Sequence, residues 1–307
     1  MSPRWSNISS GFSTGGASGL LSRLPLIGKL GRDELRVLVQ PHQLVLTRLG
    51  GWRKQTIVHE KILRVAPALV AVSQDASTVA PRWQAALQQL DAALREAAWQ
   101  GCQAQVVLSN HFVRYALIPW NDALGSPVEQ EAFMRHCFVQ AYGDAARQWD
   151  IRAAKARYGH RTLASAVEPA LVQALQLSFG QAGMRLQHIH PLLMQAVNET
   201  RQQLGSKETR GNLCLALPEH GRLTLLLIEN GQWRSVQSHT LHHEPKDLLR
   251  ELIQRDAILA GLECTDWPVV AYAAEPASPA LHWPGRQIRQ LSRMVPYSRK
   301  LAMAGAR

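Results

Sequence analysis

The sequence nowhere stays apolar for the ~20 residues that a membrane-spanning helix needs, which excludes such a helix within these 307 residues. Cysteine is scarce: Cys102, Cys137, Cys214 and Cys264 lie far apart, which excludes both a disulfide-framework domain and the paired spacing of a structural zinc site. The apolar or helical settings of most of them point to reduced, packed thiols. Pro25, Gly28, Arg23 and Lys29 interrupt the apolar part of the N-terminal stretch, so no signal peptide is expected there and the cytoplasm is the expected compartment. Carboxylates are missing from Leu35 to Leu49, which excludes the strand-borne acids of a two-metal nuclease. Glycine is missing around Ser109-Asn110-His111, which excludes a nucleophile elbow.

Acid is short overall. Lys and Arg number 34 against 23 Asp and Glu, a formal net charge of +11. Such an excess admits a nucleic acid or an anionic membrane surface as a partner class. It is dispersed along the chain and gathers only in the tail, at Arg286, Arg289, Arg293, Arg299, Lys300 and Arg307. A dispersed excess reads as a solvated surface, and no nucleic-acid partner is expected. Histidine is more suggestive: His188-Ile189-His190 places two imidazoles on one side of a strand, and His239, His242 and His243 lie close together. Neither group has a cysteine or carboxylate at ligand spacing, so surface or turn histidines are expected and no metal. No enzyme is expected either.

What is present is an order of elements that occurs twice. Residues 1–31, rich in serine and glycine before the apolar LLSRLPLIGKL, are expected to be a flexible tail, with the apolar part packed on the protein or touching a membrane face. Leu35–Gln40, Leu44–Leu49 and Ile57–Val65 then read as strands. Pro81–Trp99 reads as a helix, with Trp83, Leu87, Leu90, Leu94 and Ala98 at helical spacing, and Ala104–Leu108 as a buried strand. In the second half Leu213–Leu217 and Leu223–Ile228 form a hairpin, and the Asn230-Gly231 turn leads into Gln232–Ser238. Helix Lys246–Ala260 and strand Pro268–Tyr272 follow. Each half therefore reads β-β-β-α-β. Between them lie a helix over Pro127–Tyr142 opened by the capping box Ser126-x-x-Glu129, strands at Trp149–Ala154 and Thr162–Val167, and a helix over Glu168–Phe179. A short strand at His188–His190 and a helix from Pro191 to about Leu204 complete the stretch. The expected division is a first lobe over 32–204, including an inserted α/β subdomain at about 110–185, and a second over 205–307 ending in a basic C-terminal helix.

Two such meanders, each followed by a helix and a strand, resemble an α/β, duplicated ribonuclease-H-like (actin-like ATPase) fold with an α/β insertion in the first lobe. The segment VVLSNHFVRYALIPW, Val106–Trp120, is similar to the corresponding segment of the PilM-type and GspL-type cytoplasmic proteins of type IV pili and type II secretion. That resemblance implies a cytoplasmic, non-catalytic scaffold, peripheral at the inner membrane. Its implied partner is a short cytoplasmic segment of a bitopic inner-membrane assembly protein, or an assembly ATPase. Contacts are expected near Asn110, Arg114, Tyr115 and Trp120, of residue types that often anchor interfaces.

The fold's nucleotide-binding members imply an alternative, an actin-like ATPase with degenerate motifs that holds Mg-ATP. An acid at each lobe's first hairpin would serve the metal, and a glycine pair after the last strand of the second lobe would admit the nucleotide. The first hairpin reads Gln40-Pro41-His42-Gln43, with no acid, and Val270 to Pro276 has no glycine. Glu219 and Gly221, followed by Thr224, come nearest to the pattern, and they are expected to form an ordinary hairpin turn. No cofactor is expected.

Overall fold

The computed structural model describes residues 33–51, 56–66, 81–154, 158–205, 208–241, 248–275 and 278–293. The expected tail, His242, His243 and the basic positions Arg299, Lys300 and Arg307 lie outside the described residues.

The first module opens with β1 (Glu34–Val39), β2 (Gln43–Gly50) and β3 (Thr56–Arg64), continues through α1 (Gln84–Leu94) and closes with β4 (Gln103–Leu108). β1 and β4 share one burial pattern and run parallel, with Val37 opposite Val106, because both bury their aliphatic residues in the sheet centre. α1 is shorter than its predicted span. Its buried stripe of Ala86, Leu87, Leu90, Ala93 and Leu94 ends where Glu96 turns to an extended conformation and pairs with Lys61 at 2.6 Å. A short 3-10 turn over Ala97–Trp99 then drops the Trp99 indole into the core, where it is fully buried.

The inserted stretch comprises β5 (Arg114–Ile118), α2 (Pro127–Tyr142), β6 (Asp150–Ala153) and β7 (Thr162–Val167), the strands forming an antiparallel sheet in the order β5-β7-β6. Phe138 is the one fully buried side chain of α2, packed with Ile118, Ala146, Ala164 and Ala166. Phe133, Met134, Cys137 and Val139 pack around it partly buried, and hydrogen bonds fix both ends of the helix. The predicted capping box is formed: Glu129 N–H donates to Ser126 Oγ at 3.2 Å, and Ser126 N–H to the Glu129 carboxylate at 3.1 Å. At the other end the Tyr142 hydroxyl donates to the Tyr115 carbonyl at 2.7 Å.

α3 (Pro169–Gln181) and β8 (Arg185–Pro191) return to the first sheet, whose order is β3-β2-β1-β4-β8. The strand predicted at His188–His190 is thus longer than its histidines alone indicate. α3 packs on α1, and Trp83 Nε1 donates to Glu168 at 3.1 Å. α4 (Leu192–Leu204) follows.

The second module consists of β9 (Leu213–Glu219), β10 (Arg222–Glu229), β11 (Gln232–Thr240), α5 (Leu248–Ala260), β12 (Val269–Ala273) and β13 (Arg289–Ser292). Its sheet order, β11-β10-β9-β12-β13, repeats that of the first. Both residues of the Asn230-Gly231 turn have positive φ, 51° and 73°, the tight-turn geometry that this dipeptide favours. The duplication extends to a detail. In each module a bulge interrupts the second hairpin two pairs from its end, the extra residue lying on the third strand: Val58 in β3 and Arg234 in β11. A bulge there strengthens the local twist. Arg289–Ser292 forms a strand parallel to β12, with Leu291 its buried residue; the expected basic C-terminal helix has no stated bounds, and residues 294–307 lie outside the described residues.

Two compact units result. One comprises residues 33–112 with 168–190, and the other residues 113–167 with 191–293. The boundaries follow contacts and not chain order. β5 lies against β11, and α4 is tied to the second sheet by Gln203 Nε2 donating to the Ser292 carbonyl at 2.9 Å, whereas α3 and β8 complete the first.

Because the capping box fixes the start of α2, Ser126→Ala is expected to weaken it by about 1 kcal/mol. Amide hydrogen exchange should show faster opening of residues 127–131, with the protection of β9 and β10 unchanged.

Candidate functional site

The β9–β10 hairpin closes on two residues, His220 and Gly221. His220 is exposed, and Gly221 sits at φ 73°, where glycine carries no steric penalty. Its carbonyl accepts from Leu241 N–H at 2.9 Å, so the turn is bound to the chain beyond β11. The acid beside this turn does not face solvent: Glu219 is 1 % exposed and stands in register with the buried Arg222. Thr224 is fully buried, with its hydroxyl 3.0 Å from that of Ser238 on β11.

Tyr115 of β5 lies within reach of this pair and is only 4 % exposed. Burial raises its phenol pKa well above the ordinary value, and the negative charge of Glu219 raises it further; a backbone hydrogen bond with Leu193, at the start of α4, opposes both. Tyr142 is raised by burial in the same way, with its hydrogen bond to the Tyr115 carbonyl and the charges of Arg114 and Arg222 acting against it. Glu219, Arg222, Tyr115, Tyr142 and Arg114 therefore share one polar cluster that joins the inserted sheet to the second module's first hairpin.

The first module's hairpin is built differently. Gln40 and Gln43 are buried, and Gln43 Nε2 donates to Gln40 Oε1 at 2.9 Å, so the corner is closed by two amides bonded to each other. β1 does carry an acid that the predicted strand omitted, Glu34, but it lies at the end away from this turn and is paired with Arg36 at 2.5 Å. At the end of β12 the Tyr272 hydroxyl donates to Glu199 of α4 at 2.8 Å, and Gln195 Nε2 donates to the other carboxylate oxygen at 2.8 Å. Burial, and after it Glu199, pushes the pKa of Tyr272 upward.

A hydrated magnesium ion with a nucleotide needs carboxylates turned toward it and backbone that the nucleotide can approach closely. One hairpin here offers amides only, and the other offers a buried carboxylate facing an arginine. Among the described residues no three of His, Cys, Asp and Glu are grouped for a metal ion. These residues do not fit the group that the fold's ATP-binding members hold.

The histidines group as pairs. His188 and His190 stand on one side of β8 with ring centroids 5.3 Å apart. Burial, then the neighbouring His188 and Arg36, lowers His190 to about 4. His239 Nε2 meets the buried Asp256 of α5 at 2.9 Å, a contact that fastens α5 to β11.

The four residues expected to contact a partner separate. Asn110 is 0 % exposed, in the tight turn after β4 where Ser109 Oγ accepts from His111 N–H at 3.1 Å. Tyr115 is in the cluster described above. Asn110 and Tyr115 are therefore internal, because a strand end and an inward strand position withdraw them from solvent. Arg114 is half-buried. Trp120 is the exposed one, at 40 %, and it has company that the linear pattern did not mark: its ring meets Tyr158 edge-on at 4.7 Å, and Tyr158 is 80 % exposed. Both donate to one carboxylate oxygen of Asp122, from Trp120 Nε1 at 2.8 Å and from the Tyr158 hydroxyl at 3.0 Å.

No known family model matches the sequence, and no curated protein is significantly similar to it. Solved structures are similar in fold. PilM in a structure described as a PilM-PilN type IV pilus biogenesis complex matches with a TM-score of 0.54 at 14% identity, over 78% of this chain and 80% of that one. A Bacteroides thetaiotaomicron protein of actin-like ATPase fold matches with a TM-score of 0.51 at 9% identity, over 85% and 87%. The cytoplasmic domain of EpsL, an inner membrane component of the Vibrio cholerae type II secretion system, matches at 0.49 and 11% identity over 85% and 89%. The chain has the duplicated actin-like ATPase fold.

The depressed His190 has a consequence in acid. From pH 6.5 down to about 4 the unfolded chain takes up a proton at this histidine that the folded chain refuses. Stability is expected to fall across that window, by about 3 kcal/mol, and to lose nothing further at this site below it. His190→Gln should flatten that part of a urea-denaturation pH profile.

Proposed function

We propose that this chain is a non-catalytic cytoplasmic scaffold of a type IV pilus or type II secretion-like assembly, peripheral at the inner membrane. The observation that carries the reading is the buried Glu219, in register with Arg222 and under the charge-sensitive Tyr115. The acid position that an actin-like ATPase needs for its metal is committed to holding two parts of the protein together. The likeness in fold to PilM, in a structure described as a complex with PilN, supports the assembly context.

The partner is a short cytoplasmic segment of a bitopic inner-membrane protein, or an assembly ATPase. Trp120 and Tyr158 offer it two rigid aromatic surfaces fixed by one shared acceptor, Asp122, so little side-chain freedom is lost on contact. Arg114 stands at the start of the strand that ends beside Trp120. No nucleotide is required, and no nucleic acid takes part. The alternative, an ATPase working with Glu219, Gly221 and Thr224, rests on the acid-x-glycine pattern of the hairpin and on the positive φ of Gly221.

Calorimetric titration separates the two. The scaffold reading expects no saturable heat with Mg-ATP at micromolar concentrations; saturable binding abolished by Glu219→Ala would establish the ATPase instead. In pull-downs with cytoplasmic peptides of bitopic proteins encoded beside this gene, Trp120→Ala is expected to weaken capture by roughly tenfold or more, the loss typical of an aromatic anchor. Capture that ignores Trp120 and Tyr158 would remove this surface from the reading.

A further inference from the structure

β3 ends the first sheet, and among the described residues no strand pairs with its outer edge. The equivalent strand of the second module, β11, has β5 beside it. An exposed edge invites pairing unless charge or distortion prevents it. β3 carries both, unevenly. The bulge at Val58 twists its first half. His59 turns to the Trp99 indole, with centroids 4.8 Å apart, and Lys61 turns to Glu96 at 2.6 Å, so the odd-numbered side chains are occupied on one face. Past the bulge, Glu60, Ile62 and Arg64 share the other face and are all exposed, with one Glu60 carboxylate oxygen accepting from the Thr47 hydroxyl at 3.1 Å. The backbone agrees with them. Val65 N–H donates to the His42 carbonyl at 2.8 Å, so the alternation of an antiparallel ladder turns the N–H and C=O of Arg64, Ile62 and Glu60 outward.

We propose that this edge pairs antiparallel with β3 of a second copy of the chain, about a two-fold axis at Ile62. Ile62 then faces Ile62, and each Glu60 faces Arg64 of the other copy. The three residue pairs exchange roughly six backbone hydrogen bonds. Charge selects this register. An axis at Glu60 sets carboxylate against carboxylate, and an axis at Lys61 sets ammonium against ammonium. An axis at Leu63 leaves Arg64 opposite Ile62 and pairs no charge. Sliding toward the N-terminus meets the bulge. The features that guard this edge against arbitrary pairing therefore leave one self-complementary arrangement open, and the occupant it fits is a second copy.

The experiment is sedimentation equilibrium of the full chain across a micromolar range, with far-UV circular dichroism confirming that each variant is folded. The wild type is expected to show a monomer–dimer equilibrium. Glu60→Arg and Arg64→Glu should each raise the dimer Kd by about tenfold, since each puts two like-charged pairs face to face. The double exchange Glu60→Arg with Arg64→Glu should restore the wild-type value, and Ile62→Lys should leave monomer. A wild type that stays monomeric, a dimer indifferent to all four variants, or a double exchange no better than its singles would each overturn the proposal.

Discussion

A carboxylate withdrawn from water needs a partner, and in this protein the need is met across an element boundary. Glu219 ends β9 fully buried, with Arg222 opposite it and the phenol of Tyr115 within its field. Losing one member of such a group leaves an uncompensated charge, which is far more costly than the pair is stabilising. The inserted sheet is thereby held to the second module through β5, Tyr142 and the hairpin, and not through the chain that leads into it. That is why the compact units cut across the duplicated order of the sequence.

The same constraint bears on function. The two modules agree in strand order, in strand direction along the first four strands and even in the place of a bulge, yet the hairpins that should be chemically equivalent are not. One corner closes with two amides bonded to each other, and the other carries a buried acid with a buried arginine opposite it in register. Shape is specified by the alternation of buried and exposed positions, which many sequences satisfy. Catalysis with a metal-bound nucleotide is specified by a few carboxylates and glycines, and under the proposed reading those positions serve packing instead. Fold and function separate at this point.

Much of the architecture was legible because its signals are local. Ser126 and Glu129, three positions apart, fixed the start of α2 to the residue, and Asn230-Gly231 fixed the turn between β10 and β11. Helical stripes marked α1, α3 and α5. The failures are non-local. Arg289–Ser292 is too short and too polar to read as a strand, and only the vacant edge of β12 makes it one. Helical spacing ran on through Ala98, but Glu96, paired with Lys61 35 positions away, takes an extended conformation and the chain turns to bury Trp99. At the site, residue type identified Trp120 and Glu219 as positions of interest, whereas the partners that give them meaning, Tyr158 and Arg222, were passed over. Tyr158 lies 38 positions from Trp120, and nothing in the pattern of either segment marks the approach of the two rings.

Burial along β5 shows how one short segment serves two ends. Tyr115 points inward, where its ring and backbone carbonyl are both engaged, and the strand stops at Ile118. Pro119 cannot donate to a ladder, so the chain leaves the sheet there and carries Trp120 into solvent. Trp120 is nevertheless not loose, because Asp122, two residues on, accepts from its indole and from Tyr158 together. A tryptophan on an untethered loop would lose side-chain freedom on meeting a partner; one braced by an edge-on tyrosine and a common acceptor has lost most of it already. The firmness of the interior cluster and the stiffness of the exposed aromatic pair thus meet at the two ends of one short segment, with the proline marking where packing ends and recognition begins.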